Sequence, residues 1–198
     1  MPLSPPAPRR DANSRTIVCH GYLRDDNLWD IEAHLVDVRA YEFKGRWRIV
    51  AAGEHAHDMS LRWTVGDDLV IRAIEVVTDA SPYPPLCPSA TVHYQRLVGL
   101  NVGKGFIREV QNRVARTDGC THIFALIQAA ANATMQTISG RYWMEGGGNH
   151  SFMDVFGHQD GRPGLLDTCT AYAAHNPVVK MLWPRYYTGP DSGQPETE

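Results

Sequence analysis

The hydrophobic period of this chain changes once, and that change decides what it can fold into. Over residues 15–78 apolar side chains recur at every second position, the period of a half-buried strand. Over residues 89–140 they recur three and four apart, the period of a helix. Residues 15–23 read as a first strand. Arg24-Asp25-Asp26-Asn27 reads as a turn, and residues 28–41 as a long second strand. Residues 42–55, with Gly45 and Gly53, read as a loop or short hairpin. Residues 57–65 form a third strand. Gly66-Asp67-Asp68 is a tight turn, and residues 69–78 are a fourth strand rich in Val and Ile. Strands joined by short turns pair antiparallel. Pro82, Pro84, Pro85 and Pro88 then exclude both helix and central strand.

Three helices are expected after the prolines, at residues 89–100, 106–115 and 121–138. The last carries the broadest apolar stripe: Ile123, Phe124, Leu126, Ile127, Ala130, Ala131, Thr134 and Ile138. The expectation is an α+β fold, with four or more antiparallel strands followed by three helices packed on one face. Residues 1–14 and 189–198 are Pro-, Gly- or charge-rich and read as disordered tails. Between them residues 15–188 read as a single α+β domain: sheet 15–78, helical part 89–140 and a loop-rich extension 141–188.

Charge and cysteine usage exclude several function classes. The net charge of −3 over 198 residues, with Lys and Arg scattered, provides no basic face for phosphates, so no nucleic acid partner is expected. Arg9-Arg10 and Arg46-Trp47-Arg48 read as solvated surface. No apolar run approaches the roughly 18–20 residues of a membrane span. Pro2, Pro5, Pro6 and Pro8 break any secretory apolar stretch. Cys19, Cys87, Cys120 and Cys169 form no Cys-x-x-Cys pair and read as free thiols in a reducing, cytoplasmic compartment.

Chemistry-bearing residues fall in three places. On the second strand alternation sets Trp29, Ile31, Ala33 and Leu35 on one face and Asp30, Glu32 and His34 on the other. That polar face is either the wet side of the sheet or the floor of a pocket, where carboxylates and an imidazole do paired acid and base work. On the third strand alternation gives His55 and His57 one side and Asp58, Ser60 and Arg62 the other. Asp58 and Arg62 lie roughly 13–14 Å apart along the strand. They either hold two ends of a substrate or join surface salt bridges. Third, Asp118-Gly119-Cys120-Thr121-His122 opens the long helix. A thiol there feels the helix dipole. Cys120 reads as a nucleophile beside His122, as a metal ligand completed by His34 or His57, or as a small packed residue; Cys-x-His is not by itself a zinc spacing.

Other signals carry less. The glycines at 99, 103 and 105 follow a helical pattern and lack a Walker Lys-Ser pair. Gly146-Gly147-Gly148-Asn149-His150 reads as a flexible loop or lid. Tyr83 and Tyr142 are candidates to line an aromatic pocket. Trp183, Tyr186 and Tyr187 read as packing or as a subunit contact, which would make the protein a homodimer.

The runs Asn27-Leu-Trp-Asp-Ile-Glu-Ala-His-Leu-Val-Asp37, Gly53-Glu-His-Ala-His-Asp-Met-Ser-Leu-Arg62 and Gly119-Cys-Thr-His122 resemble the bacterial domain-of-unknown-function family 2889, over about residues 15–140. The family label assigns no catalysis. The resemblance implies a place in bacterial catabolism of lignin-derived aromatics, in which similar proteins act as lyases that release formaldehyde from phenolic dimers. That reaction needs a base on a hydroxyl and an acid on a leaving phenoxide, with a quinone methide between, and no redox or other cofactor. His34 or His57 is the expected base, Asp58 or Glu32 orients it, Arg62 stabilises a phenoxide, and His122 serves as acid, base or orienting group. Asp30, Cys120, Tyr83 and Tyr142 are expected to touch the small aromatic substrate. The alternatives are a metal-dependent hydrolase using His57, His122 and Asp58, and a non-catalytic binding module. Every catalytic version requires these groups to meet around one hollow.

Overall fold

Strict alternation over long stretches produces four long strands: β1 (Asn13–Leu23), β2 (Trp29–Arg39), β5 (His55–Val65) and β6 (Ile71–Ala80). Two short ones, β3 (Phe43–Lys44) and β4 (Ile49–Val50), close the hairpin between β2 and β5. The computed structural model describes residues 3–103, 105–114, 116–144 and 162–190. The long strands form one antiparallel sheet in the order β1-β2-β5-β6, so each strand pairs with the neighbour its turn dictates. Helices follow: α1 (Leu86–Ser89), a 3-10 helix (Ala90–Leu97), α2 (Phe106–Arg113), a short 3-10 turn (Arg116–Asp118) and α3 (Thr121–Met144). The expected α+β architecture is the observed one.

The period-two pattern fixes which face is buried. Trp29, Ile31 and Leu35 of β2 and Met59, Trp63 and Val65 of β5 are fully buried. Ile123, Leu126, Ile127 and Ala130 of α3 meet the same core and are equally buried. Each such Leu, Ile, Val or Met side chain contributes roughly 1.5–3 kcal/mol. Trp63 fixes the helices against the sheet: its Nε1–H donates to Thr134 Oγ1 at 3.1 Å, and its ring meets Phe106 edge-on at 5.7 Å. At Gly21 α3 comes so close to β1 that an added Cβ would sit 2.0 Å from Thr137 Oγ1.

Three elements differ from expectation. The proline-rich segment, expected to exclude helix, holds the one-turn helix α1 (Leu86–Ser89), because proline is tolerated in the first turn, where its missing N–H is not needed. The segment expected to be a helix over 89–100 is mostly 3-10. Ser89 and Thr91 donate their hydroxyls to the carbonyls of Leu86 and Pro88, three residues back, and favour the tighter turn. Helix α3 runs through Gly140 to Met144 instead of ending near 138, because one helical glycine costs only about 1 kcal/mol.

The chain divides into two compact units, Met1–Ile138 and Ser139–Glu198. In the second, Leu166, Val179 and Trp183 form a small core with Tyr172, Tyr186 and Tyr187 against it, around α4 (Pro177–Leu182). The aromatic tail therefore packs within its own unit. The glycine run Gly146-Gly147-Gly148-Asn149-His150 and the side chain of Tyr142 lie outside the described residues. Among the described residues no helix is long and apolar enough to cross a membrane.

Candidate functional site

Sheet register creates a row of charge on the buried face. The turn after β1 pairs Leu23 with Trp29, and the ladder then brings Arg15 opposite Asp37. The β2–β5 ladder brings Asp37 opposite His57. Three adjacent strands thus contribute Arg15, Asp37 and His57 side by side. Arg15 Nε donates to Asp37 Oδ1 at 2.7 Å, and its Nη2 to Oδ2 at 2.8 Å, the planar fork that guanidinium and carboxylate favour. His57 Nδ1 lies 2.9 Å from Asp37 Oδ2 and donates to it, which leaves Nε2 with the lone pair. Only 6% of the Asp37 side chain and 11% of that of His57 are exposed, so the pair sits where charges interact strongly.

The start of α3 closes this row. His122 stacks on His57 with ring centroids 3.7 Å apart and planes at 27°. Its Nε2 stands 3.8 Å from Asp37 Oδ2, beyond hydrogen-bond reach. Its Nδ1 faces the Cys120 Sγ at 3.6 Å. Tyr94 fixes the approach: the Cys120 N–H donates to Tyr94 Oη at 2.8 Å, and the Tyr94 hydroxyl reaches the Cys120 carbonyl at 3.4 Å. Burial pushes the Tyr94 hydroxyl up to about 12, so it stays a neutral donor and acceptor.

The titration of the cluster follows from its surroundings. Burial alone would raise the Asp37 carboxyl, but the Arg15 hydrogen bonds and charge, aided by His57, outweigh it and hold Asp37 below the ordinary carboxylate value. Burial lowers His57 against the pull of Asp37. Burial also lowers His122, and His57 and Arg15 push it the same way. The result is an ionised carboxylate clamped by Arg15 beside two neutral imidazoles, with the lone pair of His57 on Nε2 and Nδ1 of His122 against the Cys120 thiol. That set can take up and return protons near neutral pH.

The expected residues do not all meet around one hollow. His57, His122 and Cys120 converge; His34, Asp58, Glu32, Arg62 and Asp30 lie on the opposite, uncovered face of the sheet. The reason is the parity of β2 and β5, since even-numbered residues point away from the core. There His34 Nε2 lies 2.6 Å from Asp58 Oδ1 and His55 Nδ1 2.7 Å from Asp58 Oδ2. Arg62 is spent on Glu75 at 2.6 Å and Glu32 at 3.5 Å, the cross-strand salt bridge rather than a free cation for a phenoxide. Glu32, His34, Arg62 and Glu75 line an open hollow of 560 Å3. Asp30 accepts from Thr64 at 2.6 Å near the other end of β2.

His55 is a second correction. Plain alternation sets it beside His57, but a bulge between Asp37 and Val38 of the ladder lets Ala56 intrude, and His55 turns to join Asp58. Tyr83 is half-exposed and meets Trp47 edge-on at 5.3 Å rather than either cluster. The metal set weighed with Asp58 is likewise changed, since the carboxylate beside His57 and His122 is Asp37.

Sequence reasoning missed Arg15 and Asp37. Position 37 continues the series 29, 31, 33, 35, so a carboxylate there had to point into the core. The three segments that carry the family resemblance meet at this point: the first ends in Asp37, the second contains His57, and the third supplies Cys120 and His122. A family model described as "Protein of unknown function (DUF2889)" matches residues 13–136. No curated protein and no solved structure matches the chain.

Proposed function

The chain belongs to the DUF2889 family, and from that premise we propose that it is an acid–base enzyme in which His57, oriented by Asp37, moves a proton at a small phenolic substrate. The observation that carries this reading is the 2.9 Å contact between a buried, Arg15-clamped carboxylate and a neutral imidazole whose other nitrogen is free. A structural role alone would be served as well by apolar residues, since buried ion pairs are weak stabilisers.

The proposed reaction is a carbon–carbon lyase step that releases formaldehyde from a hydroxymethyl-bearing phenolic dimer. His57 Nε2 takes the hydroxyl proton as the C–O bond becomes the carbonyl of formaldehyde. His122, stacked on His57, relays the proton of the substrate's para-hydroxyl to the phenoxide that leaves as the benzylic C–O bond breaks, which gives a quinone methide. The C–C electron pair then passes into that quinone methide and rearomatises it to a phenolate, which takes back the proton held by His57. His57→Ala should lower formaldehyde release at least about 100-fold. An undiminished rate removes the assignment, and a comparable loss in His34→Ala moves the site to the open face.

A second reading is a divalent-cation site, because one ligand atom from each of Asp37, His57 and His122 lies within 4.8 Å of the others. It requires the stacked rings to turn their lone pairs toward one point and Asp37 to loosen from Arg15. Two imidazoles and a carboxylate suit a transition metal such as zinc. Elemental analysis of the purified chain distinguishes the two: stoichiometric metal with activity lost on chelation favours the cation, and metal-free turnover favours the imidazole base.

A further inference from the structure

We propose that Cys120 is a nucleophile activated by His122, which gives this centre a covalent, thiol-dependent acyl-transfer activity beyond the proton transfer argued above, with which it shares His122. The geometry is a thiol–imidazole contact with a carboxylate near the far side of the ring. The Cys120 Sγ lies 3.6 Å from His122 Nδ1, and His122 Nε2 lies 3.8 Å from Asp37 Oδ2. In the tautomer with its proton on Nε2, Nδ1 presents its lone pair to the thiol, the arrangement a nucleophile and its base require.

Three further features serve this chemistry. The thiol is only half-buried, so a reagent can reach it. It is the residue that precedes the 24-residue α3, whose carbonyl accepts the N–H of Phe124 at 2.9 Å. An α-helix leaves the amide hydrogens of its first turn without intrahelical acceptors, and Thr121 and His122 open α3, so their N–H groups are the donors offered to a developing oxyanion. Tyr94 holds both the N–H and the carbonyl of Cys120, which fixes the backbone that carries the thiol.

The step balances without any added oxidant or metal. His122 Nδ1 takes the thiol proton, and the thiolate adds to the carbonyl carbon of an activated ester. The new C–S bond forms, the tetrahedral oxyanion collapses, and the C–O bond breaks. The alkoxide leaves with the proton from His122. Water, deprotonated by the same imidazole, then cleaves the thioester and restores the thiol.

The test is acetylation of the full-length chain by p-nitrophenyl acetate, followed by intact mass and peptide mapping. Cys19, Cys87 and Cys169 serve as internal references within the same molecules, so the measurement on unaltered protein needs no variant that has to fold. Cys120 should acquire acetyl at least about 10-fold faster than the exposed Cys169, and His122→Asn should slow that labelling about 100-fold. Labelling of Cys120 no faster than of Cys169, or at the unaltered rate in His122→Asn, overturns the proposal. Formaldehyde release is a separate readout and takes no part in this outcome.

Discussion

Asp37 is the residue on which the site turns. It interrupts the apolar series of β2, yet it is tolerated because Arg15 on one side and His57 on the other satisfy both oxygens. Removing a partner from such a group costs more than the net worth of the pair, since the other charge stays buried. Arg15→Met is therefore expected to destabilise the protein by about 2 kcal/mol, less than for a fully buried pair because the Arg15 side chain is 40% exposed. A urea melt reads the change; a midpoint within error of wild type would show the fork to be ornamental. At this scale the sequence was partly legible. His57 and His122 stand out as imidazoles near carboxylates and a helix start. Arg15 does not, because its role depends on a pairing partner 22 residues away.

At the scale of elements, the close approach of α3 to β1 is the constraint that brings Cys120 and His122 over the sheet. Gly21 makes it feasible, because a Cβ there would fall 2.0 Å from Thr137 Oγ1 and 2.7 Å from Thr137 Cβ. Gly21→Ala should force the helix outward and cost about 1–3 kcal/mol, as overpacking does. Thermal unfolding measures this, and a transition at the wild-type temperature would mean that α3 and β1 part there at no cost. The strands and the long helix were readable from periodicity over many residues. The bulge beside Ala56 was not, because one extra residue in a ladder has no local signature, yet it decides which side of the sheet His55 occupies. The 3-10 geometry of Ala90–Leu97 was likewise hidden, since serine and threonine hydroxyls compete with helical bonding only at particular positions.

For the whole molecule, the two neutral imidazoles link folding to pH. Both are held below the ordinary histidine value of about 6.5. As pH falls past that value the unfolded chain binds protons that the folded chain refuses, so stability falls with it. The contribution is fully present above about pH 6.5 and is lost as pH drops through the depressed folded values. Denaturant melts between about pH 7.5 and pH 5.5 should show declining stability, with a flatter slope in the double variant His57→Gln, His122→Gln. Parallel slopes would refute the linkage. Asp37 acts in the same direction but below about pH 4, outside this window.

The amino-acid sequence determined the α+β class, the four antiparallel strands, the position of the long helix and the family, because periodicity and motif order are properties of the chain itself. Only the tertiary structure decided which chemistry-bearing residues meet. Alternation had already separated His34, Asp58 and Arg62 from the apolar face, but not which partners the core face would hold. Register placed Arg15 and Asp37 beside His57, and helix docking brought His122 and Cys120 over them. The physical reason is that a side chain's face follows from local alternation, while its partners follow from ladders and contacts between residues tens of positions apart.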